Sequence, residues 1–411
     1  MLNNENSYLF KFAWKSIRRN SGRSFFIGFS VSLAVFIAVW VVAFFDGLNF
    51  QIEKAVVNTN TGYLQIQEKN YSKSTDSSTP MDFSQYQDLM TPPVKSFSPE
   101  LVLDGNIATP EGAAGLAVIG IHPPYHQTFL PIYKRIVSGK FIDSSDEESV
   151  VIGAELAKQF QFKVGDQIVL NYQDVKGELR SELLQIKGIY HYNSRSFEKR
   201  FVYINQITWQ KLFFNENRNK ILFNRIALMT KKGTEDAPLM LERLRAKEID
   251  LKTWKNLNPE MGVVLEFHEG MIKFFFLIIG LTITMTILTP VQMLWQERLK
   301  EIRMLNILGV SSNKFWKIGL FELVQMILAS GLLSSICLLI IIGIQSYTGV
   351  DFRFLNNGIS IERAGIKLPN VIYPQLSLEQ ILITFGFVII VLSISYIWSI
   401  YRTLKKLEVA P

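Results

Sequence analysis

Four apolar runs limit what this chain can become, because each is long enough to cross a bilayer. Phe25–Phe45 carries no charged residue and matches the roughly 20 residues that a spanning helix needs. Met271–Leu294, Ile318–Ile344 and Ile381–Ile400 repeat the signal, so one run stands alone and three cluster towards the C-terminus. The basic residues follow that pattern. Lys11, Lys15, Arg18, Arg19 and Arg23 precede the first run, Arg298–Lys317 lies between the second and third, and Arg402, Lys405 and Lys406 follow the fourth. Four crossings put all three clusters on one side, which the positive-inside rule makes cytoplasmic together with both termini. A signal peptide is the alternative reading of the first run. It is too long for an ordinary h-region, however, and VVAFFDGLN ends it without a small-x-small cleavage site, so it reads as a retained anchor.

The expected fold class is a membrane protein of four transmembrane helices, arranged 1+3, with a large α+β extracytoplasmic domain between the first and second. Residues 1–24 form a cytoplasmic amphipathic helix in this reading. The transmembrane helices occupy 25–45, 271–295, 318–344 and 379–401. The outer domain takes 46–270, a cytoplasmic loop 296–317, a small outer loop 345–378 and a cytoplasmic tail 402–411.

The loop QERLKEIRMLNILGVSSNKFWK, Gln296–Lys317, has its own pattern. Glu297, Arg298, Lys300, Glu301 and Arg303 alternate with Leu299, Ile302 and Leu305, apolar residues three apart on one helical face. Gly309 offers a left-handed stop, and Ser311 or Ser312 a cap for the next helix. The expectation is a short amphipathic helix against the membrane, its charged face towards water, although periodicity alone favours an ordinary membrane-surface loop. Tyr8–Arg19 sets Tyr8, Phe12 and Ile17 against Lys11, Lys15 and Arg18, which suits a helix lying on the inner leaflet.

Within the runs, Gly28 and Ser32, Ser330 and Ser334, and Gly331 and Ser335 are small residues four apart that let helices approach closely. Pro290 should kink the cytoplasmic end of the second run. Glu322 lies inside the third. A proton relay is one reading of it, but no other run supplies a charged partner at that depth, which favours a membrane tether or a contact with the loop helix.

The net charge of +7 would suit nucleic acid or an anionic surface, and its placement beside apolar runs favours the membrane and no nucleic acid. The single cysteine, Cys337, excludes an intramolecular disulfide. Between the first two runs, strands are expected at Tyr63–Gln67, Ala114–Ile121, Ser149–Ile152, Gln167–Tyr172, Leu183–Tyr190, Phe201–Ile204 and Phe223–Met229. Helices are expected at Ala154–Phe160, Ile207–Phe213 and Thr234–Lys247, with stalks at Phe50–Val57 and Pro259–Gly270. The histidines, His122, His126, His191 and His268, lack metal-ligand spacing, and prolines between the first two argue against a shared helical face. GVSSNK at Gly309–Lys314 is no phosphate loop and no GxSxG elbow occurs, so neither metal, nor catalytic residue, nor nucleotide site is expected.

Glu297-Arg298, Glu301-Ile302, Leu305, Leu308-Gly309, Phe321-Glu322 and Gly331 resemble the ER…EI…L..LG…FE pattern of ABC transporter permeases of the FtsX-like/MacB superfamily. FAWKSIRRN, Asp46-Gly47, Gly62–Ile66, IVSGKF, VVIGAELAKQF, KVGDQIVL and QIKGIY also occur in the family's order, and the match is nearest to the LolC/LolE lipoprotein-release type. The resemblance implies two permeases, identical or homologous, with two cytoplasmic ABC ATPase subunits that bind the ATP and Mg. It makes Glu297, Arg298, Glu301, Ile302, Leu305 and Gly309 the ATPase-coupling residues. It also implies a Porter-like part at about 59–130 and 221–258 and a Sabre-like insert at about 131–220, in a periplasmic domain anchored to the inner membrane. The implied function is mechanotransmission that releases lipoprotein towards a periplasmic acceptor. An FtsX-like signalling subunit controlling an envelope enzyme, or export of another envelope substrate, is the alternative.

Overall fold

The computed structural model describes residues 2–19, 21–68, 81–110, 112–174, 177–192, 194–214, 221–244, 249–308, 312–353, 362–363, 366–367, 369–376 and 378–408. The chain divides into two compact units. One comprises Met1–Phe50, Leu265–Leu355 and Asn370–Pro411, and the other Gln51–Val264 and Asn356–Pro369.

The first unit is helical. It draws on an N-terminal helix Leu2–Arg19 and the long helices Ser21–Val56, Pro259–Ile307, Ser312–Thr348 and Leu378–Glu408. Among the described residues, the segments Ser24–Thr59, Asn313–Thr348 and Ile381–Arg402 are long and apolar enough to cross a membrane. The run Met271–Leu294 lies within the unbroken helix Pro259–Ile307. That continuity corrects one expectation: Gln296–Ile307 is not a separate surface helix but the end of the preceding one. Val291–Gln296 contains no second proline and no glycine, so losing the single N–H at Pro290 does not stop the helix.

Buried residues recur every fourth position along this unit. Ile27, Val31, Val35, Val39 and Ala43 on Ser21–Val56 join Val388, Leu392, Tyr396 and Ile400 on Leu378–Glu408 in one apolar core. The other face of Ser21–Val56 leaves Phe25, Phe29, Leu33 and Ile37 exposed. A helix apolar all round that buries only one face leaves the other for hydrocarbon.

Among the described residues, the second unit is built on ten strands in one sheet. They are β1 (Leu64–Glu68), β3 (Val94–Thr109), β4 (Gly112–Ile121), β5 (Ile136–Gly139), β6 (Ser149–Gly153), β7 (Gln167–Gln173), β8 (Leu179–Tyr190), β9 (Phe201–Asn205), β11 (Arg225–Thr230) and β12 (Ile249–Thr253), while β2 (Met81–Asp82) and β10 (Leu222–Phe223) pair separately. The order is β12-β1-β11-β3-β4-β9-β6-β8-β5, and β7 bonds to both β3 and β8. Strands β3, β4, β9, β6, β8 and β7 therefore form a closed ring around Leu101, Val118, Val150, Leu170, Leu184 and Val202. The β12-β1-β11 arm covers a second core of Leu64, Ile66, Phe83, Phe223 and Met240.

Two local results differ from the sequence reading. The prolines after His122 do not prevent a helix: Pro123–Phe129 is helical, with proline in the first turn, where the missing N–H has no partner to lose. The strand expected at Phe223–Met229 is split at Asn224. Its side chain accepts from the Val102 N–H at 2.9 Å and donates to the Val102 carbonyl at 2.8 Å, replacing a backbone rung.

Candidate coupling helix and its supporting spans

The C-terminal turns of Pro259–Ile307 carry most of the residues expected to couple to a partner. Ile302 is 5% exposed and packs into the helical core with Phe315 and Val31, so it holds this helix to its neighbours. The side chains of Glu297, Arg298, Glu301 and Leu305 lie outside the described residues, as do Gly309 and Ser311. Ser312 begins the next helix. Met304, Ile307 and Leu308, by contrast, are 60%, 87% and 74% exposed. Their i, i+3, i+4 spacing puts a bare apolar patch at the helix end, beside the exposed Arg303. The sequence reading missed this patch because Leu299–Leu305 competes with it for the same apolar periodicity.

Glu322 is fully buried, and the Tyr396 hydroxyl donates to its Oε2 at 3.1 Å. Where the sequence suggests a membrane tether or a contact with the loop helix, Glu322 meets a phenol on Leu378–Glu408 that is itself 2% exposed. One turn further on, Gln325 Nε2 donates to the Phe10 carbonyl at 3.2 Å and Phe10 meets Phe321 edge to face, tying the N-terminal helix to Ser312–Thr348.

The small residues divide in their roles. Ser32, Ser330 and Ser334 are buried. The Ser330 hydroxyl donates to the Met326 carbonyl, and Ser334 and Ser335 donate to the Gly331 carbonyl at 3.0 and 2.8 Å, so their polarity is absorbed within their own helix. A Cβ at Gly331 would lie 4.0 Å from the Phe385 ring. Gly28 is not a close-packing point in this chain, since a Cβ there would meet nothing within 4 Å. The tight crossing is at Gly280, where a Cβ would fall 2.9 Å from the Phe387 ring, which also meets Phe276 edge to face.

At the other end of these helices, Trp40 Nε1 donates to Gln345 Oε1 at 2.8 Å, and His268 Nδ1 lies 2.8 Å from Asn49 Oδ1. The Gln375 N–H donates to the Ala43 carbonyl at 2.9 Å. Gly47 is required here: a Cβ would stand 2.1 Å from the Tyr373 carbonyl oxygen.

In the sheet unit, the polar chemistry concentrates on a buried cluster. Arg225 and Glu100 are register partners on β11 and β3, and the guanidinium reaches Glu100 Oε2 at 2.7 and 2.8 Å. His126 Nδ1 lies 3.5 Å from Glu100 Oε1 and 3.0 Å from Ser98 Oγ. Burial pushes the Glu100 carboxyl up, but Arg225 and His126 outweigh it and hold the carboxyl below its ordinary value. Serine and carboxylate both converge on one imidazole nitrogen, whereas a hydrolytic triad needs them on opposite ones. Ser98, Glu100 and His126 are also 0% exposed. The cluster is structural. Among the described residues, no group of histidine, cysteine or carboxylate side chains has metal-binding geometry.

A search of curated proteins gave no match. The chain is similar to the extracellular domain of the noncanonic ABC-type transporter YknZ from Gram-positive bacteria, at 12% identity and a TM-score of 0.32, over 46% of this chain and 99% of that one. It is likewise similar to a domain of a permease protein from Porphyromonas gingivalis, at 13% identity and a TM-score of 0.26, over 46% of this chain and 85% of that one. The model of the MacB-like periplasmic core domain matches residues 24–246. That match covers more than half of the sequence, and the chain belongs to the MacB-like periplasmic core domain family, an ABC-type permease of the FtsX/MacB superfamily whose membership implies a cytoplasmic ATPase partner.

Proposed function

We propose that this permease transmits motion across the inner membrane, driven by ATP and Mg at two partner ATPase subunits, and that the motion releases lipoprotein towards a periplasmic acceptor. In this reading the chain crosses four times with both termini cytoplasmic, pairs with a second permease, identical or homologous, and carries no catalytic residue of its own. The observation that carries the proposal is the length of two unbroken helices. Ser21–Val56 has 36 residues and Pro259–Ile307 has 49. At 1.5 Å per residue they run about 54 and about 74 Å, against a hydrocarbon core of roughly 30 Å. Each is a continuous hydrogen-bonded rod much longer than a crossing requires. The exposed Met304, Ile307 and Leu308 at one rod end suit an ATPase groove, in company with the charged Glu297, Arg298 and Glu301.

Fluorescence energy transfer between the outer units of two paired permeases, labelled at Lys163, tests the mechanism with the ATPase present. ATP should change the transfer efficiency, and an unchanged efficiency would remove the transmission role. A photoreactive residue at the exposed Leu179, activated in cells, tests the cargo. Captured lipoprotein supports release, whereas captured cell-wall hydrolase would make the chain a signalling subunit.

A further inference from the structure

A pocket of about 340 Å³ opens between the N-terminal helix, Ser21–Val56 and Ser312–Thr348. Its size lies within the roughly 300–1,000 Å³ of small-molecule sites. The wall is apolar, with Leu333 and Gly28 among its residues, and Trp14 and Arg18 line it from the N-terminal helix. Two polar atoms in that wall have no hydrogen-bond partner: Ser24 Oγ and Gln325 Oε1. Both residues are more than nine-tenths buried, at 7% and 5% exposure. The Gln325 amide is oriented by its bond from Nε2 to the Phe10 carbonyl, which leaves Oε1 as an acceptor requiring a donor.

We infer that this pocket holds one acyl chain of a phospholipid whose headgroup bears a hydrogen-bond donor, its phosphate paired with Arg18. The apolar wall takes the chain, and the guanidinium takes the phosphate in a geometry that arginine matches well. The Ser24 hydroxyl can donate to a lipid ester carbonyl. The Gln325 carbonyl oxygen accepts from an ammonium or a headgroup hydroxyl, as ethanolamine and glycerol headgroups supply and choline does not. Trp14 is 57% exposed on the same helix, in keeping with an aromatic anchor at headgroup level. The inference requires only that these helices sit in a bilayer, and it is independent of the cargo proposed above.

Native mass spectrometry of the delipidated full-length chain tests it, with dioleoyl phosphatidylethanolamine and dioleoyl phosphatidylcholine as competing probes. The expected result is one retained phosphatidylethanolamine per chain, at least about fivefold preferred over the choline lipid. Gly28→Leu grows a side chain into open space rather than into a neighbour, so it should leave the thermal midpoint unchanged and abolish retention of the lipid. Gln325→Leu should keep a lipid and erase the preference. Equal retention of the two lipids by the wild-type chain would overturn the headgroup assignment even if both variants failed to fold. Retention of phosphatidylethanolamine by a stably folded Gly28→Leu would overturn the site.

Discussion

Arg225→Met should damage the sheet unit more than any surface substitution, and the size of the effect follows from burial. Glu100 is 0% exposed and Arg225 8%, and both guanidinium contacts fall on one carboxylate oxygen. Removing the cation strands a buried anion, which costs about 3–5 kcal/mol when a buried pair is broken from one side. At 1.36 kcal/mol per tenfold, that is at least about a hundredfold in the opening of β3 and β11. Hydrogen exchange of the full-length chain in detergent reads this directly at the amides of those strands. Glu100→Gln combined with Arg225→Met removes the stranded charge and should recover part of the loss, because the penalty belongs to the unpaired ion and not to the missing bond. The same pair fixes a pH dependence. The Glu100 carboxyl titrates lower in the folded chain than in the unfolded one, where about 4.3 is ordinary. Its stabilisation is therefore complete above about pH 4.3 and is lost as pH falls towards the folded value. Arg225→Met should flatten that slope. If β3 and β11 exchange as in the wild type after Arg225→Met, at neutral pH, the pair is not what holds these strands together.

Charge reversal at both Glu297 and Glu301 should weaken co-purification with the partner ATPase by about a kcal/mol per contact, the size of an ordinary surface ion pair. Asp substitutions at Met304 and Ile307 should weaken it further while membrane insertion persists; undiminished ATPase binding after all four changes would exclude this helix end from coupling. Gly47→Val forces a side chain against the Tyr373 backbone and should lower stability by about 1–3 kcal/mol, read as a fall in thermal midpoint. In a Cys337→Ser background, a cysteine at Lys163 should react with an impermeant maleimide on intact cells, whereas cysteines at Asn313 and Arg402 should react only after permeabilisation. External labelling of Asn313 would break the four-crossing topology.

Much of this architecture was readable from the residues because it rests on composition. The Phe25–Phe45 run announces itself by what it lacks, and strands such as Ser149–Gly153 and Gln167–Gln173 are short apolar stretches bounded by turn residues. The longest strand, Val94–Thr109, was not readable. Pro99 and Asp104-Gly105 are turn signals that long-range pairing overrides: Pro99 lies one residue beyond the Glu100↔Ile121 end of the β4 ladder, and Gly105 sits where β7 pairs, so close that a Cβ there would stand 3.0 Å from the Asn171 carbonyl oxygen. The candidate site was legible in position but not in facing. Periodicity located Ile302 and Glu322 on helices, yet which side a helix turns inward depends on partners elsewhere in the chain. Ile302 meets a core assembled from residues 27–400, and Glu322 meets Tyr396.

The sheet's edge has a mechanical reading. The chain enters the strands at Leu64 and leaves them at Thr253, and these two residues are register partners at the same end of the β1–β12 ladder. The Trp254 N–H adds one more bond there, to the Tyr63 carbonyl at 3.0 Å. A load that drives entry and exit apart would unzip this ladder a rung at a time, the softest direction in which paired strands can be pulled. A load that carries both the same way leaves every rung unstressed and hands the domain over whole, with the six-stranded ring behind it undeformed. The wiring of the edge thus favours displacement in common and yields to divergence. A disulfide between cysteines at Asn49 and His268, which fastens the two feeding helices together, should accordingly leave transmission intact.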